Sequence, residues 1–518
     1  MRFLKSVPVL AVLQVAAFSQ STTLNLSQDL VRLGIASANM VPNQPTQDAG
    51  PLLTTGVSYA TSHQIATVIA DAGAYYFLSL QYGNFHAVLS EANNITVDLQ
   101  GSDLYFSHPL KFGLYLSDCT NTVLRNFTLD YQPLPFTQVE VASVDPASAQ
   151  IQFSVPSGWQ DPSALNAVFT GAQSPTGAGN EVEVHIFRDG QPAPGVLRMS
   201  SMLPISGSSI TIAPDPSGVA LTPVLSTIRP GDIAVLAMRY AGGGPLLVNN
   251  CSGCTLRNIT AYSSPEDGVS VIYSQSTVLE RVNTIPKPDT DRLVSTFGQG
   301  FNPSGPNNLI TLSRAVRTMD DGFSFYLWIT GIVASQPSSN SLVVEGAPVT
   351  NLSQGVSIAN GSAVTFERTS DGAMLGSAMV VSQSAPTSTQ PYQVTYTFDG
   401  NLPANLVGAA MYSSGPDQRG ADTSMVRNAV QDQADCCRGI SIWGLANSTL
   451  SGNYVRRSAM AGVGIQHNLY MGDWQVPPLM SLSVSNNVID GTNVAFTDNP
   501  ILQLGGIEAI TQHPTMHR

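Results

Sequence analysis

A short motif recurs along this 518-residue chain: a glycine, an apolar residue, any residue, and another apolar residue. It stands as FGLYL at Gly113, DGVSVIY at Gly268, QGFNPSG at Gly300 in a weaker form, DGFSFYL at Gly322, RGISIWG at Gly439 and AGVGIQH at Gly462. Gly268 to Gly300 is 32 residues, Gly300 to Gly322 is 22 and Gly439 to Gly462 is 23, each the length of one turn of a coil. Before most copies lies a second strand rich in Asn, as in TNTVLRNFTLDY, CSGCTLRNITAY, NNLITLSRAVRT and ANSTLSGNYVRR, and LMSLSVSNNVID follows the last copy. Short β-branched runs bounded by Asn, Gly or Ser, with no helical periodicity between them, are strands joined by tight turns. Strands repeating at this period predict an all-β chain wound as a right-handed parallel β-helix, in which each rung buries its inward side chains against the rungs above and below.

Two gaps interrupt the rhythm, 155 residues from Gly113 to Gly268 and 117 from Gly322 to Gly439. The first holds TQVEVASV, AQIQFSVPSGW, NEVEVHIFRDG, SSITIAP and GDIAVLAMR; the second holds NSLVVEG, SAVTFER, AMVVSQ and YQVTYTF. Alternating strands with turn residues between them read as two small antiparallel β modules inserted into solenoid loops, over 135–240 and 332–430. That division leaves 20–134 for an N-terminal cap and the first rungs, 241–331 for the central rungs and 431–518 for the last ones. A short helix from about Ser62 to Ala72 is expected to close the open end of the solenoid.

The composition is 43% hydrophobic, enough for a large core, but only 11% charged, with 44 Gly and 34 Pro. That is the profile of an extracellular β protein. Net charge is −13 and lysine occurs only at Lys5, Lys111 and Lys287, so no basic stripe exists to neutralise a phosphate backbone and nucleic acid is excluded as a partner. The same deficit argues against a strongly anionic polymer and favours a neutral ligand. The first residues, MRFLKSVPVLAVLQVAAFSQS, have the basic start, apolar run and small residues of a secretory signal peptide over 1–19. No later segment is long and apolar enough to span a bilayer, so the mature protein is expected to be secreted, with no membrane partner.

Five cysteines, Cys119, Cys251, Cys254, Cys436 and Cys437, lack the spacing of a zinc site and suit disulfides or buried thiols. Sequons at Asn25, Asn94, Asn126, Asn250, Asn258, Asn351, Asn360 and Asn447 are glycan sites or stacking turn residues of the solenoid, and the expected glycoprotein character turns on that choice.

Aligning the rungs on their glycines stacks Asp267, Gln299, Asp321, Arg438 and Ala461 in one column, with Glu266, Gly298, Asp320, Cys437 and Met460 in the next. Parallel strands lie about 4.8 Å apart, which places Asp267 and Asp321 roughly 10 Å apart across two rungs. Glycoside hydrolysis needs a carboxylic acid to protonate the leaving oxygen and a carboxylate as base or nucleophile, about 6.5–9.5 Å apart in inverting enzymes. Asp320, Asp321 and Asp267 are therefore the candidate catalytic residues, although an Asp before a glycine is also a common turn residue. Glu266, Gln299, Arg438 and Arg292 are candidate substrate-binding groups. Tyr326, Trp328, Trp443 and His467 fall just after the repeated motif, where aromatic faces can meet the C–H face of a sugar ring.

The order of LDYQPLPFTQVEV leading into an inserted module, RPGDIAVLAMR closing it, then CTLRNITAYSSPEDGVSV, RLVSTFGQGF and MDDGFSFYLW, resembles the β-helical α-1,3-galactosidases of the pectin-lyase-like fold. The likeness extends in layout over about 60–500. It implies an inverting, metal-independent glycoside hydrolase without a cofactor, in which an acidic doublet matching Asp320 and Asp321 acts with an acid one rung earlier. At that earlier position this chain has Gln299, which cannot transfer a proton as a carboxylic acid does. The expectation is a secreted carbohydrate-active enzyme, most directly a glycoside hydrolase acting on a neutral oligosaccharide or polysaccharide. Two alternatives stand beside it, a polysaccharide lyase or epimerase on the same scaffold and a non-catalytic glycan-binding β-helix.

Overall fold

A computed structural model of the chain describes residues 22–164, 181–193, 199–202, 205, 207–212, 221–237, 243–326, 331–345, 358, 360–369, 373–385, 387, 393–413, 422–433, 437–443, 446–468, 480–492 and 507–512. The segment expected to be a signal peptide lies outside these residues, as do Trp328 and Cys436.

The strands expected from the repeat pair in parallel, rung on rung. Thr96–Phe106, Val123–Tyr131, Thr255–Ala261 and Val278–Thr284 lie side by side with Val97, Leu124, Leu256 and Leu279 in register. The same 15-stranded sheet continues through Leu309–Thr311, Ser424–Val426, Ala446–Ser451 and Met480–Ser485. A second, nine-stranded parallel sheet runs from Phe85–Ser90 and Phe112–Ser117 through Leu246–Asn249, Val269–Ile272, Phe301–Pro303, Phe323–Tyr326 and Ile440–Trp443 to Val463–Asn468 and Ile507–Gln512. Parallel strands joined through crossovers wind right-handed in nearly all proteins, and the architecture is the right-handed parallel β-helix of the expectation. One continuous core of buried Leu, Val, Ile and Phe fills the space between the sheets.

The larger sheet bends once per rung. The residue at the bend takes a positive φ in rung after rung: Asn126 at 63°, Asn258 at 53°, Arg281 at 53°, Leu312 at 55°, Arg427 at 58°, Gly452 at 66° and Asn486 at 54°. Asparagine tolerates this left-handed geometry because its side chain can bond locally. Here it bonds along the stack instead, Asn258 Nδ2 donating to Asn126 Oδ1 at 3.1 Å and Asn126 Nδ2 to Asp98 Oδ1 at 2.9 Å. Asn250 Nδ2 likewise donates to Asp118 at the other corner. At these three sequons the nitrogen that would carry a glycan serves as a rung-to-rung donor.

The repeated glycine follows from how closely the rungs approach. A Cβ on Gly268 would lie 2.8 Å from the Gly300 carbonyl oxygen, on Gly300 2.5 Å from that of Gly322, on Gly322 2.7 Å from that of Gly439, and on Gly439 2.6 Å from that of Gly462. Real Cβ atoms do not come so near a backbone oxygen.

Both gaps are antiparallel modules. Seven strands between Phe136–Asp145 and Ile233–Ala237 make a sheet with its own apolar core. Six strands between Gly331–Ser338 and Ala410–Ser413 close into a barrel around Val333, Leu342, Phe366, Tyr396 and Phe398. The solenoid resumes at Ser424–Val426, inside the stretch expected to belong to the second module, because this short strand pairs with Leu309–Thr311 and buries Met425 in the solenoid core. The capping helix is also displaced. It runs over Ala49–Ser62, with the Asp48 side chain accepting from Gly50 N at 3.2 Å, and ends where it was expected to begin. Thr67, Val68 and Ile69 form a strand on Thr96, Val97 and Asp98 instead, β-branched residues prevailing over the apparent helical pattern.

Cys119, Cys251 and Cys254 are free thiols inside the core, and Cys437 is disulfide-bonded. The hydrogen bond with Cys119 pushes the Cys251 thiol up to about 12. No helix among the described residues is long and apolar enough to cross a membrane.

His86 is buried with Nδ1 2.7 Å from the Phe112 carbonyl oxygen and Nε2 accepting from His108 N at 3.2 Å. Burial, with help from the nearby His108, lowers its pKa from 6.5 to about 4. The unfolded chain therefore takes up this proton first, so His86 stabilises the fold above about 6.5 and that contribution falls away as the pH drops towards about 4. Urea unfolding between pH 7.5 and pH 4 should show the loss, with a shallower slope in His86→Gln, whose amide can serve the same two partners. Replacing Gly300 by Ala should destabilise the protein by about 1–3 kcal/mol in urea unfolding at neutral pH, since the added carbon overpacks the stack.

Candidate active site

Each rung passes from the bent sheet to the nine-stranded sheet through a turn that ends at the motif glycine. The amides there run from rung to rung: Gly268 N to Gln299 O at 2.9 Å, Gly300 N to Asp321 O at 2.9 Å, Gly322 N to Arg438 O at 3.2 Å and Gly439 N to Ala461 O at 3.1 Å. Asp267, Gln299, Asp321, Arg438 and Ala461 thus occupy one column on five consecutive rungs. The stacked rings of Phe301 and Phe323, 4.5 Å apart, lie in the core beneath.

Asp267 and Asp321 use their carboxylates in the same way. Asp267 accepts from the backbone N of Gln299 at 3.0 Å, from Ser270 Oγ at 3.1 Å and from Asn302 Nδ2 at 3.1 Å. Asp321 accepts from the backbone N of Arg438 at 2.7 Å and from Ser324 Oγ at 3.0 Å. Each carboxylate therefore clasps the following rung and bonds the serine three residues on. The repeated spelling of this arrangement is Asp-Gly-x-Ser, at 267–270 and 321–324. The partners Ser270, Ser324 and Asn302 are site residues that the reading of acids and aromatics passed over, although that spelling was there to find them.

Asp320 is folded over its own turn, its Oδ1 accepting from Asp321 N at 2.8 Å. Its carbonyl accepts from Thr318 Oγ1 at 3.0 Å and from the buried Gln433 Nε2. The three acids are almost wholly covered, with exposures of 6% for Asp320, 2% for Asp321 and 8% for Asp267. Asp320, Asp321 and Cys437 each bring a side-chain atom within 4.8 Å of the others. The Cys437 sulfur is in a disulfide and offers no thiolate to a metal ion, so the cluster is a carboxylate pair beside a disulfide.

Glu266 and Gln299 flank Asp267, both half-buried, and Glu266 O accepts from Gly298 N at 3.1 Å. Gly298 has to be glycine, because a Cβ there would stand 2.6 Å from Asp267 Oδ1. The Arg438 side chain crosses Gly464 on the next rung, its Cδ 2.0 Å from where a Cβ on that glycine would be. Tyr326, Trp443 and Gln466 follow one another in register on the nine-stranded sheet, and His467 comes one residue later. Trp328 lies outside the described residues. Arg292 does not join this group. The loop that carries it is held against the first module, Gln138 Nε2 donating to Asp291 O at 3.0 Å and Leu293 N to Gln138 Oε1 at 2.8 Å, and its guanidinium binds Asp130.

No family model matches the chain. Over 257 residues it is 25% identical to α-1,3-galactosidase A of Bacteroides thetaiotaomicron, a match covering 46% of this chain and 41% of that protein. The chain thus matches about two fifths of that relative's length. Among solved structures it is similar to an endo-xylogalacturonan hydrolase from Aspergillus tubingensis, with a TM-score of 0.34 and 11% identity over 86% of this chain and 70% of the other. It is similar also to the catalytic unit of an α-1,3-glucanase from Streptomyces thermodiastaticus, with a TM-score of 0.37 and 11% identity over 91% of this chain and 51% of the other.

Because Asp267 holds three donors, Asp267→Ala should leave the Gln299 amide and Asn302 unsatisfied and cost about 1–3 kcal/mol of stability in urea unfolding. Asp267→Asn, which keeps one acceptor oxygen, should lose less.

Proposed function

We propose that this protein is a secreted glycoside hydrolase acting on a neutral glycan, with Asp320 and Asp321 as its acid-base pair and Asp267 as their partner. The observation that carries the reading is the pair of buried carboxylates, Asp320 and Asp321, on a central rung with a third, Asp267, two rungs away in the same column. The stack spacing puts Asp267 and Asp321 roughly 10 Å apart, near the upper end of the separation that leaves room for an attacking water in inverting enzymes. Gln299 occupies the rung between them, so Asp267 supplies the carboxyl group that Gln299 cannot. Asp321, held by the Arg438 amide and the Ser324 hydroxyl, suits the part of an acceptor, the base that orients water. Asp320 is left to protonate the leaving oxygen. A galactose-terminated glycan is the first substrate to try, because the matched relative is an α-1,3-galactosidase.

A second reading rests on one specific observation. Asp267 and Asp321 share a rung-clasping role, which a glycan-binding β-helix without catalysis would need as much as an enzyme does.

A panel of chromogenic glycosides and galactose-containing glycans, with the product anomer followed by NMR, separates the two readings. Hydrolysis with inversion is the expected result, and Asp320→Asn and Asp321→Asn should each lower the rate by about 10²–10⁴-fold while circular dichroism stays unchanged. Full activity in either folded variant removes that residue from the mechanism. Binding without release of reducing ends, by wild type and variants alike, selects the non-catalytic reading.

A further inference from the structure

A cavity of about 380 Å³ lies on the outward face of the bent sheet where the first module and the Lys287–Arg292 loop come over it. It falls in the size range of sites for small ligands. Tyr76, Tyr105 and Asp130 line it from one register column on three successive rungs, the two tyrosine rings stacked at 5.4 Å. Trp159 of the first module forms the facing wall, its indole Nε1 fixed to Asp291 Oδ2 at 2.7 Å. Lys287 and Arg292 complete the lining.

Among the lining residues two cations, Lys287 and Arg292, stand against one carboxylate, Asp130. Asp130 is 1% exposed and already surrounded by donors: Tyr131 N at 3.0 Å, Ser263 Oγ at 2.7 Å, Arg292 Nη1 at 2.8 Å and Lys287 Nζ at 3.3 Å. It has no capacity left for a ligand's hydroxyl groups. The two cations do. Arg292 puts a single nitrogen on Asp130, so its Nη2–Nε edge makes no hydrogen bond to the described residues. Lys287 bonds Tyr105 Oη at 3.1 Å and Asp130, which leaves it a third donor. Burial works against the Lys287 charge, yet Tyr105 and Asp130 outweigh it and hold the pKa above the ordinary lysine value.

The cavity thus presents aromatic plates beside a guanidinium edge and a spare ammonium donor, in a chain whose net charge is −13. Tyrosine and tryptophan faces pack against the C–H face of a pyranose ring. A guanidinium edge matches the two oxygens of a carboxylate. We propose that this cavity binds a carboxylate-bearing sugar unit, a hexuronate, at a place separate from the Asp320–Asp321 site. It stands on the cavity alone and holds whether or not the chain is a hydrolase.

Calorimetric titration of the full-length protein with methyl glucuronide and methyl glucoside tests it. The glucuronide should bind at least about tenfold more tightly, a preference that added salt reduces. Arg292→Lys keeps a cation for Asp130 but removes the fork, and should lose about tenfold or more in glucuronide affinity while circular dichroism shows an intact fold. Trp159→Ala should weaken both sugars. Asp320→Asn should leave glucuronide binding unchanged. Equal affinity for the two sugars, no binding of either, retention of glucuronide affinity in Arg292→Lys, or its loss in Asp320→Asn overturns the proposal.

Discussion

The close approach of successive rungs at the glycine column sets the geometry on which the site depends. Backbone there passes within van der Waals limits of backbone, leaving no room for a Cβ between one motif glycine and the carbonyl of the next. That contact fixes the spacing and the register together. A carboxylate one residue before the glycine then necessarily faces the amide of its counterpart on the following rung, as Asp267 faces Gln299 and Asp321 faces Arg438. The inward aromatic stack of Phe301 on Phe323 and the outward column of polar groups are two consequences of the same register.

Structural and chemical demands therefore fall on the same side chains. A carboxylate that clasps the neighbouring rung has a fixed position and orientation, which is what acid-base chemistry needs from it. Asp320 differs from Asp267 and Asp321 in that its hydrogen bond to backbone N–H stays within its own turn. The doublet thus combines one acid held by the rung that follows and one held by its own turn.

The solenoid was legible in the sequence because its repeat is enforced position by position: glycine where backbones touch, asparagine where the chain turns left-handed, β-branched residues between. The column of Asp267, Gln299, Asp321 and Arg438 could be read for the same reason, since register along a parallel stack is simple counting. The helix at Ala49–Ser62 was missed because Gly50, Pro51, Gly56 and two adjacent threonines obscure its pattern, whereas the stretch after it merely looked helical. Arg292 lies apart from the acidic column, and counting rungs says nothing about where a long loop swings. Its destination is set by Asp130 on a distant strand and by contacts with an inserted module, and neither obeys the repeat. The serine and asparagine partners of the carboxylates went unread because small polar residues are common on strands, and only their repetition at a fixed offset from an aspartate distinguishes them.

The two inserted modules share a feature with consequences for how the chain assembles. In each, the first strand pairs with the last near the point where the module leaves and rejoins the solenoid, Phe136 with Ala237 and Gly331 with Met411. A folded module therefore returns the chain to almost the place it left. Without that, the clasp from Asp321 to Arg438 would close a loop of 117 residues, an entropic penalty that grows with loop length. With it, the barrel's own core stabilises most of that closure, and the next rung winds on as though little had been inserted. A folded barrel thus leaves the rung beginning at Ser424 beside its partner Leu309–Thr311 and the Arg438 amide within reach of Asp321.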